Sequence, residues 1–143
     1  MDNTNDIAFE LGITARRWRT KVDERLTPLA LTQAKWVPLC HLSRAGGSLP
    51  QRKLAEQIGV EGPSLVRILD ELERLGLTER RDGDTDRRTK TIHLTEKALL
   101  IIEKISYQAN LLREEILDGI LDQDIVTFRK VLAQMLHNIN TLS

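Results

Sequence analysis

The segment 54–72, LAEQIGVEGPSLVRILDEL, narrows the possible folds more than any other part of the sequence. Ala55 and Ile58 share one face of a short helix, and the small side chain of Ala55 lets another helix cross closely over it. Gly59 follows at a position where glycine adopts a left-handed backbone at no steric cost. Pro63 comes near the start of a second helix, where its missing N–H is not needed. The pattern is typical of a helix-turn-helix.

The second helix of this motif is predicted over about 62–75 and has two different faces. Apolar side chains at helical spacing form its inner face: Leu65, Ile68, Leu69 and Leu72. Ser64 and Arg67 lie three residues apart on the outer face, close to a helix N-terminus that suits phosphate. Arginine also has the geometry to bind the guanine acceptors of the major groove. A helical hairpin with a glycine turn is common in proteins that do not bind DNA, so the motif alone leaves that question open.

A charged hairpin directly follows the helix-turn-helix. GLTERR (76–81) and TKTIHL (89–94) read as strands that flank the turn DGDTDRR. A hairpin in this position predicts a winged helix, with the wing at about 77–94 and its tip able to reach the minor groove, where narrow A·T tracts attract arginine. Asp86 precedes Arg87 and Arg88 and can hold one guanidinium by charge-assisted hydrogen bonds. The alternative is a solvated tip with weak ion pairs, but the preceding motif favours the wing.

Composition limits the other possibilities. The 143 residues suit one compact domain or one protomer of an intertwined dimer, and 41% apolar with 29% charged residues predicts a soluble, folded chain. Lys and Arg number 21, as do Asp and Glu, so net charge gives no indication of a nucleic-acid partner. One cysteine forms no internal disulfide. No run is long enough to span a membrane and the acidic N-terminus is unlike a signal peptide, so we expect a cytoplasmic, nucleoid-associated protein.

Long amphipathic helices are predicted at both ends of the chain. Apolar stripes run through 7–29 and 98–120, and the last helix places apolar residues at heptad-like steps from Ile125 to Leu142. Because the middle of the chain is too small to bury them all, we expect these helices to pack together and against a second copy.

The predicted fold is therefore mainly α with a small β-hairpin. A winged helix-turn-helix lobe takes 31–97, and 1–30 with 98–143 form a helical dimerisation region. Thr32 and Thr95 are expected to cap helices, and RAGGSLP (44–50) is expected to be a loop.

Three segments resemble the MarR family of regulators, and within it the SlyA-like branch. They are LTQAKWVPL, LAEQIGVEGPSLVRILDELERLGLTER and DRRTKTIHLTEKA, in the family's order and spacing. The resemblance covers nearly the whole chain, and the Asp-Arg-Arg wing followed by a strand ending in Leu-Thr is its most specific part. It implies a homodimer with interlocked terminal helices and two winged lobes that bind pseudo-palindromic double-stranded DNA.

The resemblance also implies roles for particular residues. Pro63, Ser64 and Arg67 would read or position the major groove. Arg87 would enter the minor groove, and Arg88 would assist it or contact phosphate. The start of the second helix, Thr32 and Gln33, would touch the DNA backbone.

Members of the family often bind small aromatic acids such as salicylate in the crevice between the dimer region and the DNA lobe. Arg16, Arg19 and Trp36 match positions that line that crevice, whereas Cys40 replaces a residue that is often His in the SlyA-like branch. An arginine pair can meet a carboxylate and a Trp face can stack on a ring. The alternative is that Trp36 is a core residue and that the two arginines form a solvated face. Cys40 is a redox-switch candidate, although a lone cysteine among apolar residues more often packs as one of them.

An enzyme and a protein-contact module are the two other classes of function to compare with the sequence. The histidines are scattered over different elements, and no nucleophile elbow, phosphate loop or carboxylate pair is present, so neither an enzyme nor a metal or cofactor site is expected. A winged helix used for protein contact without DNA is the remaining alternative, and it would tolerate the loss of both Arg67 and Arg87. Whether DNA binding represses or activates transcription is left open.

Overall fold

A computed structural model describes residues 4–83 and 85–143, and the predicted fold class, mainly α with a small β-sheet, is confirmed. The helices are α1 (Ile7–Leu26), α2 (Gln33–Arg44), α3 (Gln51–Ile58), α4 (Gly62–Arg74), α5 (Glu96–Ile116) and α6 (Asp122–Thr141). The strands are β1 (Ser48–Pro50), β2 (Thr78–Asp82) and β3 (Lys90–Leu94), and a short 3-10 helix covers Thr27–Leu29. No helix within the described ranges is both long and apolar enough to cross a bilayer.

The chain divides into two compact units, Met1–Asn110 and Leu111–Ser143. The first holds α1 to α4, the sheet and most of α5; the second holds the end of α5 and all of α6. The predicted domain bounds, 31–97 for the lobe with a separate dimerisation region, stay a prediction.

The sheet has a strand that the sequence analysis missed. The segment 44–50 was expected to be a loop, but Ser48–Pro50 pairs antiparallel with β3, giving the strand order β1-β3-β2. Gly46, Gly47 and Pro50 are residue types that usually interrupt a strand. Their actual effect depends on where the strand lies in the sheet, which the local sequence does not show. Pro50 is tolerated because β1 is an edge strand, where a missing N–H leaves no partner unsatisfied.

A glycine terminates α4. Gly76 has a left-handed φ of 75°, and the Leu77 N–H donates to the Leu72 carbonyl at 2.9 Å. Thr95 caps α5 as predicted, because its hydroxyl accepts from the Ala98 N–H at 3.3 Å. The same hydroxyl donates to the Gly76 carbonyl at 2.6 Å. One threonine therefore joins the start of α5 to the end of α4.

The other predicted cap is only half right. Thr32 occupies the N-cap position of α2 with an extended backbone, and its carbonyl accepts the Trp36 N–H at 2.9 Å. Its side chain makes no capping hydrogen bond. The position was predicted correctly, but the hydroxyl does not do the capping.

Asp23 ties α1 to α2. One carboxylate oxygen accepts from the Gln33 side-chain amide at 2.8 Å, and the other accepts from the indole N–H of Trp36. Trp36 is buried, so its N–H has little access to water as an alternative partner. The carboxylate therefore satisfies a buried donor and orients the first turn of α2.

Replacing Asp23 with Ala should destabilise the protein by about 1–3 kcal/mol, because the buried Trp36 N–H would lose its acceptor. Urea unfolding measures the change. Glu24→Ala is the control, since that exposed side chain forms a surface ion pair with Lys21 at 3.2 Å, and it should cost less than about 1 kcal/mol. Equal unfolding midpoints for the two variants would contradict this account of the α1–α2 contact.

Candidate nucleic-acid interface and adjoining cavity

Helix α4 is anchored through one apolar face, which determines what its other face presents. Leu65, Leu69 and Leu72 are each 0% exposed, as the spacing predicted. Gly59 before the helix has a φ of 78°, the left-handed turn expected of a helix-turn-helix. With the leucines inside, the opposite face is directed to solvent.

That outer face carries the residues predicted to meet the major groove. Pro63, Ser64 and Arg67 are all exposed at the N-terminal end of α4. The N-cap residue, Glu61, makes no side-chain capping bond. The first-turn amides of a helix lack partners within the helix, so this end of α4 can offer N–H groups and partial positive charge to a phosphate.

The wing is the β2–β3 hairpin, with register Thr78↔Leu94 to Asp82↔Lys90. Its tip is tight: the Gly83 N–H donates to the Thr89 carbonyl at 2.6 Å, and a Cβ at Gly83 would lie 2.8 Å from the Asp86 carbonyl oxygen. Only glycine fits there without a shift of the backbone. Asp84, part of the predicted charged turn, lies outside the described residues.

Asp86 engages one of the two arginines that follow it. Its carboxylate accepts from the Arg88 backbone N–H at 2.9 Å and from the Arg88 Nε at 3.3 Å. The Arg88 side chain remains 92% exposed. Arg87 is exposed in the adjoining turn, and no described residue forms a hydrogen bond or ion pair with its guanidinium. The arginine held by Asp86 is thus Arg88, whereas Arg87 is exposed.

The arginines from α4 through β3 fall into two groups. Four are paired with carboxylates: Arg74 with Glu71, Arg80 with Asp70 and Glu73, Arg81 with Glu79, and Arg88 with Asp86. Arg67 and Arg87 have no such partner among the described residues. The hydrogen bond from Arg74 holds the pKa of Glu71 below its usual value. Local pairing therefore cancels most of this charge and, as far as the described residues show, leaves the guanidiniums of Arg67 and Arg87 available.

The start of α2 is less free than the sequence suggested. Thr32 is exposed, as a backbone contact requires. Gln33 is half-buried, and its side-chain amide donates to Asp23. A role for Gln33 at a phosphate therefore depends on the groups that its bond to Asp23 leaves available.

A cavity of about 700 Å³ lies within the first compact unit. Its walls combine two indoles, three basic side chains and aliphatic residues; they include Trp18, Arg19, Gln33, Trp36, Cys40, His41, Arg44, Gln57, Ile68 and Ile105. Within the part of the chain that the structure describes, no Asp or Glu lines it. The cavity thus offers aromatic faces and positive charge to a ligand.

The structure brings two of the three predicted effector residues to this cavity. Arg19 and Trp36 line it, whereas Arg16 is exposed on α1 and is not part of the lining. Trp36 is buried at 8% exposure, so it serves the core and the cavity wall together. Sequence reasoning missed His41 and Arg44 on α2 and Gln57 on α3, because no common motif marks them as one site.

Cys40 is half-buried in the same wall. Burial raises the pKa of its thiol above the usual value, and the nearby Arg44 offsets only part of that effect. Redox sensing depends on the thiolate, which burial disfavours here. The environment matches the apolar-residue interpretation better than the switch.

The histidines do not converge on a catalytic or metal site. His41 Nδ1 lies 3.1 Å from Gln57 Oε1, His93 Nε2 lies 2.9 Å from the Thr91 hydroxyl, and His137 is exposed on α6. Across residues 4–83 and 85–143, no group of three or more His, Cys, Asp or Glu side chains could hold a metal ion.

Known proteins of this fold provide an independent comparison. The MarR family model matches residues 31–90, which include α2, α3, α4 and most of the hairpin. The crystal structure of the transcriptional regulator PA3341 is 41% identical in sequence, with a TM-score of 0.88, and the match covers 94% of this chain and 98% of that one.

Two further structures are similar to this chain. A MarR-family transcriptional regulator from Silicibacter pomeroyi is 26% identical, with a TM-score of 0.82, over 95% of this chain and 91% of that one. A mutant MarR from E. coli complexed with operator DNA is 24% identical, with a TM-score of 0.77, over 95% and 99% of the two chains, and shares the fold. On the family match and the full-length similarity to PA3341, the chain belongs to the MarR family of transcriptional regulators.

Proposed function

We propose that this regulator is a homodimer that binds pseudo-palindromic duplex DNA, with α4 in the major groove and the β2–β3 wing in the minor groove. The observation that carries the proposal is the charge pattern: Arg67 and Arg87 are exposed and have no carboxylate partner among residues 4–83 and 85–143, whereas their four neighbouring arginines are paired. The sequence also predicts a major-groove contact for Arg67 and a minor-groove contact for Arg87. The E. coli MarR structure with operator DNA supports this use of the fold.

In the major groove, Arg67 is the base-reading residue. A guanidinium can donate two hydrogen bonds to the O6 and N7 acceptors of guanine. Pro63 and Ser64 set the approach of the helix end, whose amides suit a phosphate.

In the minor groove, Arg87 inserts and Arg88 contacts phosphate. The hydrogen bonds that Arg88 donates to Asp86 restrict the Arg88 side chain before binding and so reduce the entropy lost on contact. At the start of α2, Thr32 and Gln33 contact the DNA backbone.

Dimerisation follows from apolar surface that the single chain leaves open. Helix α6 has no buried residue. Its exposed apolar side chains are Val126, Phe128, Val131, Leu136 and Ile139. In the first unit, Phe9 is 68% exposed and Leu100 is 65% exposed. A helix with this composition needs an apolar partner, and a twofold-related copy supplies the same surface in return.

Two finer assignments rest on the sequence segments alone. We place the chain in the SlyA-like branch and in the cytoplasm on nucleoid DNA.

A second part of the proposal concerns a small aromatic carboxylate as effector. The cavity of about 700 Å³ has the size of a small-molecule site. Arg19 would meet the carboxylate, and Trp36 would lie against the ring.

Arg87→Ala should weaken binding to duplex DNA by about tenfold or more, because the wing would lose its minor-groove contact. A gel-shift titration measures the loss, and size-exclusion chromatography should show the same dimer before and after. Arg129→Ala, on α6, is the control. Undiminished binding by the Arg87 variant would remove the wing from the mechanism and favour the protein-contact alternative.

Arg67→Ala should change sequence preference at one base step by roughly 1–3 kcal/mol. Selection from a random DNA pool, performed with the wild type and the variant, reveals the change as a relaxed position in each half-site. The half-sites should lie about one helical turn apart, as the twofold symmetry requires. The same consensus from both proteins would show that Arg67 does not read a base.

Salicylate binding should quench tryptophan fluorescence, because both Trp18 and Trp36 line the cavity. Arg19→Ala should weaken this binding by about tenfold through loss of the carboxylate partner. Arg16→Ala provides a matched control on the same helix, outside the lining, and should leave the titration unchanged. Equal effects of the two substitutions would contradict the assignment of the carboxylate to Arg19.

A further inference from the structure

Arg80 joins the wing to the recognition helix α4. Its guanidinium pairs with the Asp70 carboxylate and lies 3.4 Å from a Glu73 oxygen. The other Glu73 oxygen accepts the Arg80 backbone N–H at 3.2 Å. Asp70 and Glu73 are three residues apart on α4 and thus share a face, and both reach one residue of β2.

The surroundings of Arg80 set it apart from a surface ion pair. Its side chain is 26% exposed, against 68% for Arg74 on α4. In the strand it shares a face with the buried Thr78, and its cross-strand neighbour is the fully buried Ile92. Its Nε atom is buried and has no hydrogen-bond partner. The strand thus carries a partly desolvated charge on its inner face, where an apolar residue would be the ordinary choice.

The contact to Glu73 also uses the edge of the sheet. Strand β2 is an edge strand, because the order is β1-β3-β2. Edge strands have outward N–H groups that β pairing leaves free. Glu73 takes one of these from outside the sheet, so backbone and side chain of Arg80 are held by the same helix.

We propose that Arg80 is a positioning residue for DNA recognition, which acts through Asp70 and Glu73 and does not itself contact DNA. The inference rests on the proposed function. Because Arg80 holds β2 against α4, the wing that bears Arg87 and the helix that bears Arg67 keep a fixed position relative to each other. It also neutralises two carboxylates on the recognition helix that would otherwise repel phosphate.

The test compares Arg80→Met with Arg74→Met. Methionine keeps an apolar stem and removes the charge in both cases. Arg74 is the matched control, because it also pairs with a carboxylate of α4, Glu71 at 2.6 Å, but does not reach the wing. Arg80→Met should weaken binding to a duplex that carries the consensus selected from the random DNA pool by about tenfold, within the range of coupling between contacting residues. Arg74→Met should leave it unchanged.

A second background separates positioning from direct contact. In the double variant Asp70→Asn with Glu73→Gln, the Arg80→Met substitution should have less than about a threefold effect, since its partners are already neutral. A direct phosphate contact would give the same loss in both backgrounds, and that result would overturn the proposal. If Arg80→Met fails to fold, Arg80→Lys serves in its place, because one ammonium cannot reproduce the fork between two carboxylates.

Hydrogen exchange of the free protein tests, without DNA, whether Arg80 holds the wing against α4. Amides of residues 78–90 should exchange about tenfold faster in Arg80→Met than in the wild type, and at the wild-type rate in Arg74→Met. Unchanged exchange in the wing would overturn the proposal even if DNA binding fell. If the wild type bound no duplex DNA, the proposed function would fail, while this measurement would still decide whether Arg80 restrains the wing.

Discussion

The burial of one face of α4 is the constraint on which the rest of the interface depends. Leu65, Leu69 and Leu72 are fully enclosed, so the helix cannot rotate about its axis without exposing leucine to water. Each buried leucine side chain is worth about 1.5–3 kcal/mol relative to exposure. A rotation large enough to turn Arg67 inward would lose several of these contributions and bury a charge as well. The outward direction of Arg67 is therefore a consequence of packing and needs no interaction of its own.

The pairing of charged side chains around α4 is a second constraint on the candidate interface. A chain with 21 basic and 21 acidic side chains has no overall attraction for DNA. Around α4 and the wing, pairing consumes most of the local cations: Arg74, Arg80 and Arg88 each meet a carboxylate. Uncompensated positive charge is then concentrated at Arg67 and Arg87, which have no carboxylate partner among the described residues. Counting charges along the sequence could not show this, because it depends on which side chains are neighbours in space.

Features set by neighbouring residues could be predicted from the sequence, whereas features that depend on contacts between distant segments could not. The approximate bounds of α4, the left-handed turn at Gly59 and the cap at Thr95 follow from neighbouring residues, and the structure has them as expected. Strand β1 could not be predicted, because Ser48–Pro50 becomes a strand only by pairing with β3 far along the chain. The contact of Arg80 with α4 was missed for the same reason, and so was the meeting of His41, Arg44 and Gln57 in the cavity wall. Arg67 and Arg87 could be selected because motif and position mark them, whereas Asp70 and Glu73 looked like ordinary solvated acids.

Asp23 connects the cavity to the start of α2 by a single carboxylate. It accepts from Trp36, which forms part of the cavity wall, and from Gln33, which precedes it by one helical turn. A ligand that displaces the Trp36 indole must break or redirect a bond made by the same group that holds Gln33. Such a ligand alters DNA affinity only to the extent that it binds one arrangement of these groups better than another. By linkage, DNA would then change the affinity for the ligand by the same factor. The structure thus contains the contact through which the cavity and the start of α2, the proposed DNA-backbone contact, can be coupled.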